Sequence, residues 1–479
     1  MKSSEFLPEL VNLENFRDFE VNSIHIDSRE VEKGSIFFAI KGNILDGNEF
    51  ISEAIERGAS LIISDTCDYT LPNLIYFREL KKNIGIFASR FYGTPSEKIK
   101  TICITGTNGK TTSVETLSSI SNLLGYRCAY MSTINFSKDG SSLERSKLTT
   151  PDPIKIHKNI AAAVKYQSKF ISMEASSHGL DQDRLKGVSI EYAILTSFSH
   201  DHLDYHGNIE SYQTAKEKLF YDLRPKKNVI CIDSPFGQKL YSDLIKIIPN
   251  TYSVSIKQNA DFHASFTQSS IGLQVNLKAL DNKITFEVRT ISRYLASNLI
   301  CSIAVLILEE IDLSAISEII SEIKMPLGRL EKIIKEDFSI YLDYAHTPEA
   351  LKYTLKEIKN NHKEPLWCLF GCGGDRDKDK RPIMGSIAEK FSDYVVLTSD
   401  NPRNEVEMHI ISDILSGMTN ADKVRVNPNR KEAIELTFAE IKENIRGGVL
   451  LISGKGHEEY QEINGYFHDL SDRDIISSL

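Results

Sequence analysis

Between a β-rich run, Ile99 to Thr105, and a helical pattern stands Gly106-Thr107-Asn108-Gly109-Lys110-Thr111-Thr112. Glycines let backbone N–H groups close on phosphate oxygens, and the N-terminus of the following helix adds partial positive charge. Lys110 at this spacing reaches β- and γ-phosphates, and Thr111 can hold Mg²⁺. Ile104 occupies the place where the usual phosphate-loop spelling has its first Gly, but the strand–loop–helix context points to nucleotide binding. Glu174 closes a second strand-like run, Phe170 to Met173, and is placed to take Mg²⁺ bridging nucleotide phosphates; a buried structural carboxylate is the alternative. The run His200-Asp201-His202-Leu203-Asp204-Tyr205-His206 is dense in ligand atoms. Mg²⁺ prefers oxygen, but a magnesium site can include one imidazole; taken alone the run suits a magnesium site, a zinc site or a polar loop equally.

The elements that must position these groups follow from periodicity. Val114, Leu117, Ile120, Leu123 and Leu124 share one helical face after the phosphate loop, with Gly125 as the stop. Tyr192 to Thr196 is a third strand-like run. Leu366 to Phe370, Tyr394 to Thr398 and Val449 to Ser453 repeat the design, each running into a Gly- or Asp-rich loop. Strands alternating with amphipathic helices imply an α/β fold with parallel sheets, and ligands of such sheets sit at the carboxyl ends of the strands. Turn-rich breaks at Phe91 to Ser96 and at Met325 to Arg329 divide the chain into 1–96, 97–326 and 327–479. Three domains are expected from 479 residues.

Composition narrows the class further. With 57 Lys and Arg against 66 Asp and Glu the net charge is −9, so a broadly basic nucleic-acid binder is not expected and any anion site is local. The N-terminus lacks a signal-peptide layout, and the longest apolar stretch, near Leu299 to Leu308, is too short to span a membrane. Seven scattered cysteines form no disulfide framework, and Cys368 and Cys372 read as buried thiols. A cytoplasmic, multi-domain, soluble protein is the expectation.

Motifs in order then carry a resemblance. Gly106 to Thr112, Met173-Glu174-Ala175-Ser176-Ser177-His178-Gly179-Leu180, Asp201 to Gly207 and Ala215-Lys216 are followed by Gly328-Arg329-Leu330-Glu331 and Asp343-Tyr344-Ala345-His346-Thr347-Pro348. Gly371 to Asp377, Asp400-Asn401-Pro402-Arg403 and Gly454-Lys455-Gly456-His457-Glu458 complete the series. Together with Asp27-Ser28-Arg29 they resemble the Mur ligases, ATP-dependent amino-acid ligases of bacterial peptidoglycan synthesis, over nearly the whole chain.

That resemblance implies three domains: a uridine-nucleotide domain, a central phosphate-loop ATPase domain with a parallel sheet, and a C-terminal Rossmann-like domain for the amino acid. It implies ATP contacts at residues 106–112, Asn298, Arg329, Asp343 and His346. It also implies two Mg²⁺ sites served by Thr111, Glu174, His202 and Lys216, the last as a carbamate derived from CO₂. Lys110, Glu174, His202 and Lys216 are thereby the implied catalytic set. Read without the family, Lys216 is a helical surface lysine. For the UDP-muramoyl dipeptide the implied contacts are Ile26, Ser28, Asn43, Ile44, Leu45, Thr149, Thr150, Ser176, Gln182 and Arg184. Read alone, Thr149-Thr150-Pro151 and Ser176 suit caps and turns equally.

Asp400-Asn401-Pro402-Arg403 is similar to the motif by which the family recognises meso-2,6-diaminopimelate. With Arg376, Gly454 and Glu458 it implies an amino-acid site in which guanidinium forks meet a carboxylate and Glu458 accepts an ammonium. The implied reaction joins that amino acid to UDP-N-acetylmuramoyl-L-alanyl-D-glutamate through an acyl phosphate. An L-lysine-adding relative is the nearer alternative, and a phosphate-loop NTPase switch is the alternative of another class. Two departures stand out: Tyr294-Leu295 precede Ala296-Ser297-Asn298 where the family has a further Asn, and Asn429-Arg430 stands where Asp-Arg is expected.

Overall fold

A computed structural model describes all residues except 14, 43, 44, 70, 140–143, 147, 337 and 444–446. The chain forms two compact units. The first comprises Met1–Thr105, Gly125–Ala193 and Ala215–Asn228; the second comprises Gly106–Leu124, Ile194–Thr214 and Val229–Leu479.

The first unit opens with a parallel sheet of Ile24–His25, Ile36–Ala39, Leu61–Ser64 and Leu74–Tyr76, in that order. Its strands are apolar on both faces. Ile36 and Phe38 pack with Leu61, Ile63 and Phe87 on one side, and Phe37 and Ala39 pack with Ile51, Ala54 and Ile62 on the other. Period-two alternation makes such runs continuous in apolar residues when helices cover both faces. Helix Leu80–Phe91 supplies one cover through Leu80, Ile84, Phe87 and Ala88. Beyond Gly93, with φ +73°, the chain enters strand Lys100–Thr105. That strand pairs in parallel with Phe170–Glu174, which pairs in parallel with Cys128–Met131.

In the second unit helix Lys110–Leu123 lies along helix Arg293–Leu308. Ser302 Oγ donates to Ser113 O at 2.9 Å, so small hydroxyl residues let the two backbones approach. The Arg293–Leu308 helix is the apolar stretch noted in the sequence, and it is buried through Leu306. Among the described residues no helix is long and apolar enough to cross a membrane. Strands Phe262–Gln268, Leu273–Ala279 and Asn282–Val288 form an antiparallel meander.

The C-terminal sheet runs Glu331–Lys335, Phe338–Asp343, Val449–Ser453, Leu366–Phe370, Tyr394–Leu397, Val424–Val426. Its first pair is antiparallel and the others are parallel. Leu366, Cys368 and Phe370 pack on one face with Leu351, Leu355 and Met384; Trp367 and Leu369 pack on the other with Ile434, Phe438 and Ile476. This is the doubly wound α/β arrangement expected of a Rossmann-like sheet. Each predicted strand forms within a residue of its expected ends, and helix Lys110–Leu123 stops before Gly125, whose φ is +82°.

Candidate active site

In the first unit, strand Phe170–Glu174 carries Glu174 to its carboxyl end, where it is 1% exposed. Thr133 N donates to Glu174 Oε1 at 2.7 Å, and the Thr133 hydroxyl lies 3.1 Å from each carboxylate oxygen. The Thr150 hydroxyl donates to Glu174 O at 2.8 Å and lies 2.9 Å from Ser176 Oγ. Arg184 Nη1 donates to Thr150 O at 2.6 Å, and its Nη2 to Gln182 Oε1 at 2.7 Å. Thr133 Oγ1 is 3.2 Å from Thr149 Oγ1. Thr149, Thr150, Glu174, Ser176, Gln182 and Arg184 therefore form one polar network. The capping alternative holds as well for Ser176, whose Oγ accepts from Gly179 N at 3.1 Å at the start of helix Ser177–Asp181.

Thr133 escaped the sequence reading because it sits in no motif; its only signal is its place just past strand Cys128–Met131. Lys216, on helix Ile209–Tyr221, is 1% exposed and among the bulkiest fully buried side chains. The surface-lysine reading is thus corrected: helix periodicity turns Lys216 inward with Tyr212 and Ala215. An enclosed lysine amine is the residue type that takes up CO₂ as a carbamate, so Lys216 fits that group.

Ile26 and Ser28 follow the first strand of the N-terminal sheet. Ser28 Oγ donates to Glu53 Oε2 at 2.7 Å. Leu45 is 66% exposed, while Asn43 and Ile44 lie outside the described residues.

In the second unit the phosphate loop is held from below. Thr196 Oγ1 and Ser197 Oγ donate to Asn108 O at 2.6 and 2.9 Å, and the Thr107 hydroxyl contacts Ser199 O and Tyr212 Oη, both at 3.1 Å. Gly109 has φ +93°, and a Cβ there would stand 2.3 Å from Asn298 Oδ1, so Asn298 lies directly against the loop. Asn298 is buried and its Nδ2 is without a partner among the described residues. Lys110 Nζ donates to the loop carbonyls of Gly106 and Thr107 at 2.9 and 3.0 Å, which keeps the ammonium at the loop. Thr112 is buried on the helix that follows. Arg329 Nη2 donates to Thr111 Oγ1 at 3.2 Å, and its guanidinium lies 4.5 Å above the Tyr344 ring.

Asp343 is engaged by its own chain. Its oxygens accept from Leu330 N at 2.6 Å, Ala345 N at 2.9 Å and the Thr354 hydroxyl at 3.2 Å, and burial pushes its carboxyl up. His346 Nε2 stands 4.0 Å from Asp201 Oδ2, which lies 3.3 Å from His202 Nε2. Burial opposes charge on Asp201, but His202, His346 and Lys380 outweigh it and hold the carboxyl well below the usual range. Asp201 was legible only as part of its motif; its pairing with His346 is a tertiary fact. Among the described residues no group of three or more His, Cys, Asp or Glu is arranged to hold a metal by itself.

The carboxyl ends of three adjacent strands, Leu366–Phe370, Tyr394–Leu397 and Val449–Ser453, bring the remaining candidates together. A Cβ on Gly454 would lie 2.5 Å from Asp400 Oδ2, and one on Gly373 would lie 2.9 Å from Arg403 Nη1 and 3.6 Å from Arg376 Cγ. Arg403, with φ +52° after Pro402, donates through Nε to Glu462 Oε2 at 2.9 Å and through Nη1 to Gly374 O at 2.8 Å. Asn401 Nδ2 donates to Glu458 Oε2 at 2.8 Å. Burial pushes the Glu458 carboxyl up against the opposing pull of Lys455. Arg376 is exposed and donates to Asp375 O at 3.1 Å. At the two departures, Leu295 is buried beside Tyr294, which stacks on Tyr353, and Asn429 Oδ1 accepts from Glu432 N at 3.2 Å at the start of helix Arg430–Glu443, while the retained Arg430 forms a buried bidentate pair with Asp472 at 2.8 Å and donates to Ser399 O and Ser453 O.

Nearly the whole chain is similar to known proteins. Three family descriptions match in series: "Mur ligase family, catalytic domain" over residues 20–86, "Mur ligase middle domain" over 104–306, and "Mur ligase, glutamate ligase domain" over 328–456. A Buchnera aphidicola protein named UDP-N-acetylmuramoyl-L-alanyl-D-glutamate–2,6-diaminopimelate ligase is 38% identical, over 96% of this chain and 95% of its own. A Pseudomonas putida protein of the same name is 35% identical over 95% and 94%. A solved structure bearing that name superposes with a TM-score of 0.69 at 30% identity, covering 100% of this chain and 98% of the other. A phosphate loop braced by Asn298, a strand-end Glu174 within a threonine–arginine network, and matches of this length have one common explanation: the chain belongs to the Mur ligase family, whose members form amide bonds at the expense of ATP.

Proposed function

We propose that this chain joins meso-2,6-diaminopimelate to UDP-N-acetylmuramoyl-L-alanyl-D-glutamate in an ATP-dependent step of peptidoglycan precursor synthesis. The observation that carries the reading is the meeting of Arg403, Asn401 and the half-buried Glu458 at adjacent strand ends. A diamino dicarboxylic acid presents at its far end both a carboxylate and an ammonium. A guanidinium fork matches the first, and a carboxylate matches the second. L-Lysine has no far carboxylate, so Arg403 would have nothing to bind. The names of the relatives over nearly the full length support the same substrates.

In this reading residues 1–96 hold the uridine nucleotide, 97–326 hold ATP, and 327–479 hold the amino acid. Ile26, Ser28 and the loop 43–45 take the nucleotide end, and Thr149, Thr150, Ser176, Gln182 and Arg184 take the peptide end. The loop 106–112 and Lys110 bind the ATP phosphates, with Asn298, Arg329 and His346 at the nucleotide and Asp343 bracing the Arg329 turn. The dipeptide carboxylate attacks the γ-phosphorus, giving an acyl phosphate and ADP. The amine then attacks the acyl carbon, and phosphate leaves. Lys110 stabilises charge gathering on the transferred phosphoryl group. Thr111, Glu174, His202 and Lys216 as its carbamate would hold Mg²⁺ at two sites, where the metal offsets charge between phosphates and the attacking carboxylate. The enzyme works in the cytoplasm as a single chain.

The test is ATP-dependent phosphate release with the muramoyl dipeptide nucleotide, comparing meso-diaminopimelate with L-lysine and weighing the product. Release that needs diaminopimelate and yields the tripeptide nucleotide supports the reading. Preference for lysine would overturn the role given to Arg403. Release indifferent to both amino acids would indicate an NTPase.

A further inference from the structure

Lys455 follows strand Val449–Ser453 and has no exposed surface (0%). A buried ammonium is costly unless it is paired and hydrogen-bonded. Its Nζ donates to Glu458 Oε2 at 3.1 Å, to Asn401 Oδ1 at 3.2 Å and to the carbonyl of Tyr460. The Asn401 amide completes the ring, since its Nδ2 reaches the same Glu458 oxygen at 2.8 Å and its Oδ1 also accepts from Glu462 N at 3.0 Å. These partners settle which way the amide faces, because only the oxygen can accept from Nζ and N–H. Among the described residues Glu458 Oε1 has a single long contact, 3.4 Å from the Tyr344 hydroxyl.

We infer that Lys455 is a positioning residue of the amino-acid site, which grips one oxygen of Glu458 and fixes Asn401 so that the other oxygen is presented to the distal ammonium of the incoming amino acid. This rests on the amino-acid-site reading above. Lys455 touches no substrate in this account and acts only through Glu458 and Asn401. Its loss therefore weakens one substrate of three. A role confined to folding would lower the yield of active enzyme and leave every KM alone.

The experiment uses full-length enzyme and steady-state kinetics with each substrate varied in turn. The parent enzyme is assayed first; failure to use diaminopimelate there would sink the amino-acid-site reading itself. With that activity in hand, Lys455→Met is expected to raise the KM for diaminopimelate at least tenfold and to leave the KM for ATP and the muramoyl nucleotide within twofold. An unchanged amino-acid KM, or an equal rise in all three, would overturn the inference. Should Lys455→Met not fold, Glu458→Gln is compared with the double variant Glu458→Gln/Lys455→Met, which buries no unpaired charge. Equal amino-acid KM values in the two, within twofold, support action through Glu458. A further rise of more than twofold in the double variant argues against it.

Discussion

At the scale of single residues, the chemistry depends on side chains whose orientation is set by neighbours. Arg403 spends Nε on Glu462 and Nη1 on Gly374 O, which aims its planar fork. A lysine's single ammonium lacks the planar fork that makes both contacts together. Arg403→Lys is expected to raise the KM for diaminopimelate by about 10- to 100-fold, the worth of a charged hydrogen bond of roughly 1.5–3 kcal/mol; kinetics that match the parent would remove Arg403 from the site. The Thr133 hydroxyl stands 3.1 Å from both oxygens of Glu174 and shares its one proton between them. Thr133→Val keeps the shape and deletes that contact, so kcat should fall about tenfold with Tm changed by little. A kcat equal to the parent's would show that Glu174 needs no such support.

At the scale of elements, turns and helix ends carry the constraints. Gly109 begins helix Lys110–Leu123 with φ +93° and stands against Asn298. A side chain there meets both a left-handed backbone penalty of about 1–2 kcal/mol and the Asn298 amide. Gly109→Ala should lose ATP binding by more than tenfold in a titration calorimeter, and retained affinity would mean the loop can shift away from Asn298. Helix Asp472–Ser478 is tied to two strand ends through Arg430, whose guanidinium pairs with Asp472 and reaches Ser399 O and Ser453 O. Asp472→Asn leaves a buried cation without its partner, and the expected loss is about 3–5 kcal/mol in denaturant unfolding. A loss below 1 kcal/mol, on the order of an exposed pair, would contradict that burial.

At the scale of the whole molecule, several half-buried groups make stability depend on pH. Burial, with Arg329 and Lys455 nearby, pushes His457 down to about 3, so the folded chain keeps it neutral while the unfolded chain protonates it near 6.5. Stability from this group is complete above pH 6.5 and declines as pH falls toward 3, because the unfolded state binds the extra proton. Glu405, held down to about 2 by hydrogen bonding from Arg381, acts in the same direction from pH 4.5 downward. Glu458 has the opposite sign, because a carboxyl pushed up by burial favours the folded state less as pH rises past its ordinary range. His457→Gln should therefore flatten the fall in Tm between pH 6.5 and 4 relative to the parent; parallel Tm curves would show that His457 is solvated.

Strand and helix positions could be read from the chain because periodicity reports which faces are covered, and covered faces follow local residue choice. The phosphate loop was legible for a similar reason, since Gly106, Gly109 and Lys110 do their work within seven consecutive residues. Arg403 and Glu458 could be named through their motifs, but their common location could not, because 55 positions separate two residues that parallel strands bring to one sheet edge. The inward turn of Lys216, the hold of Thr133 on Glu174 and the grip of Lys455 on Asn401 all depend on which surface covers a side chain. A lysine or threonine suits water and interior alike on its local sequence, and only packing decides between them by removing the water and supplying the partners.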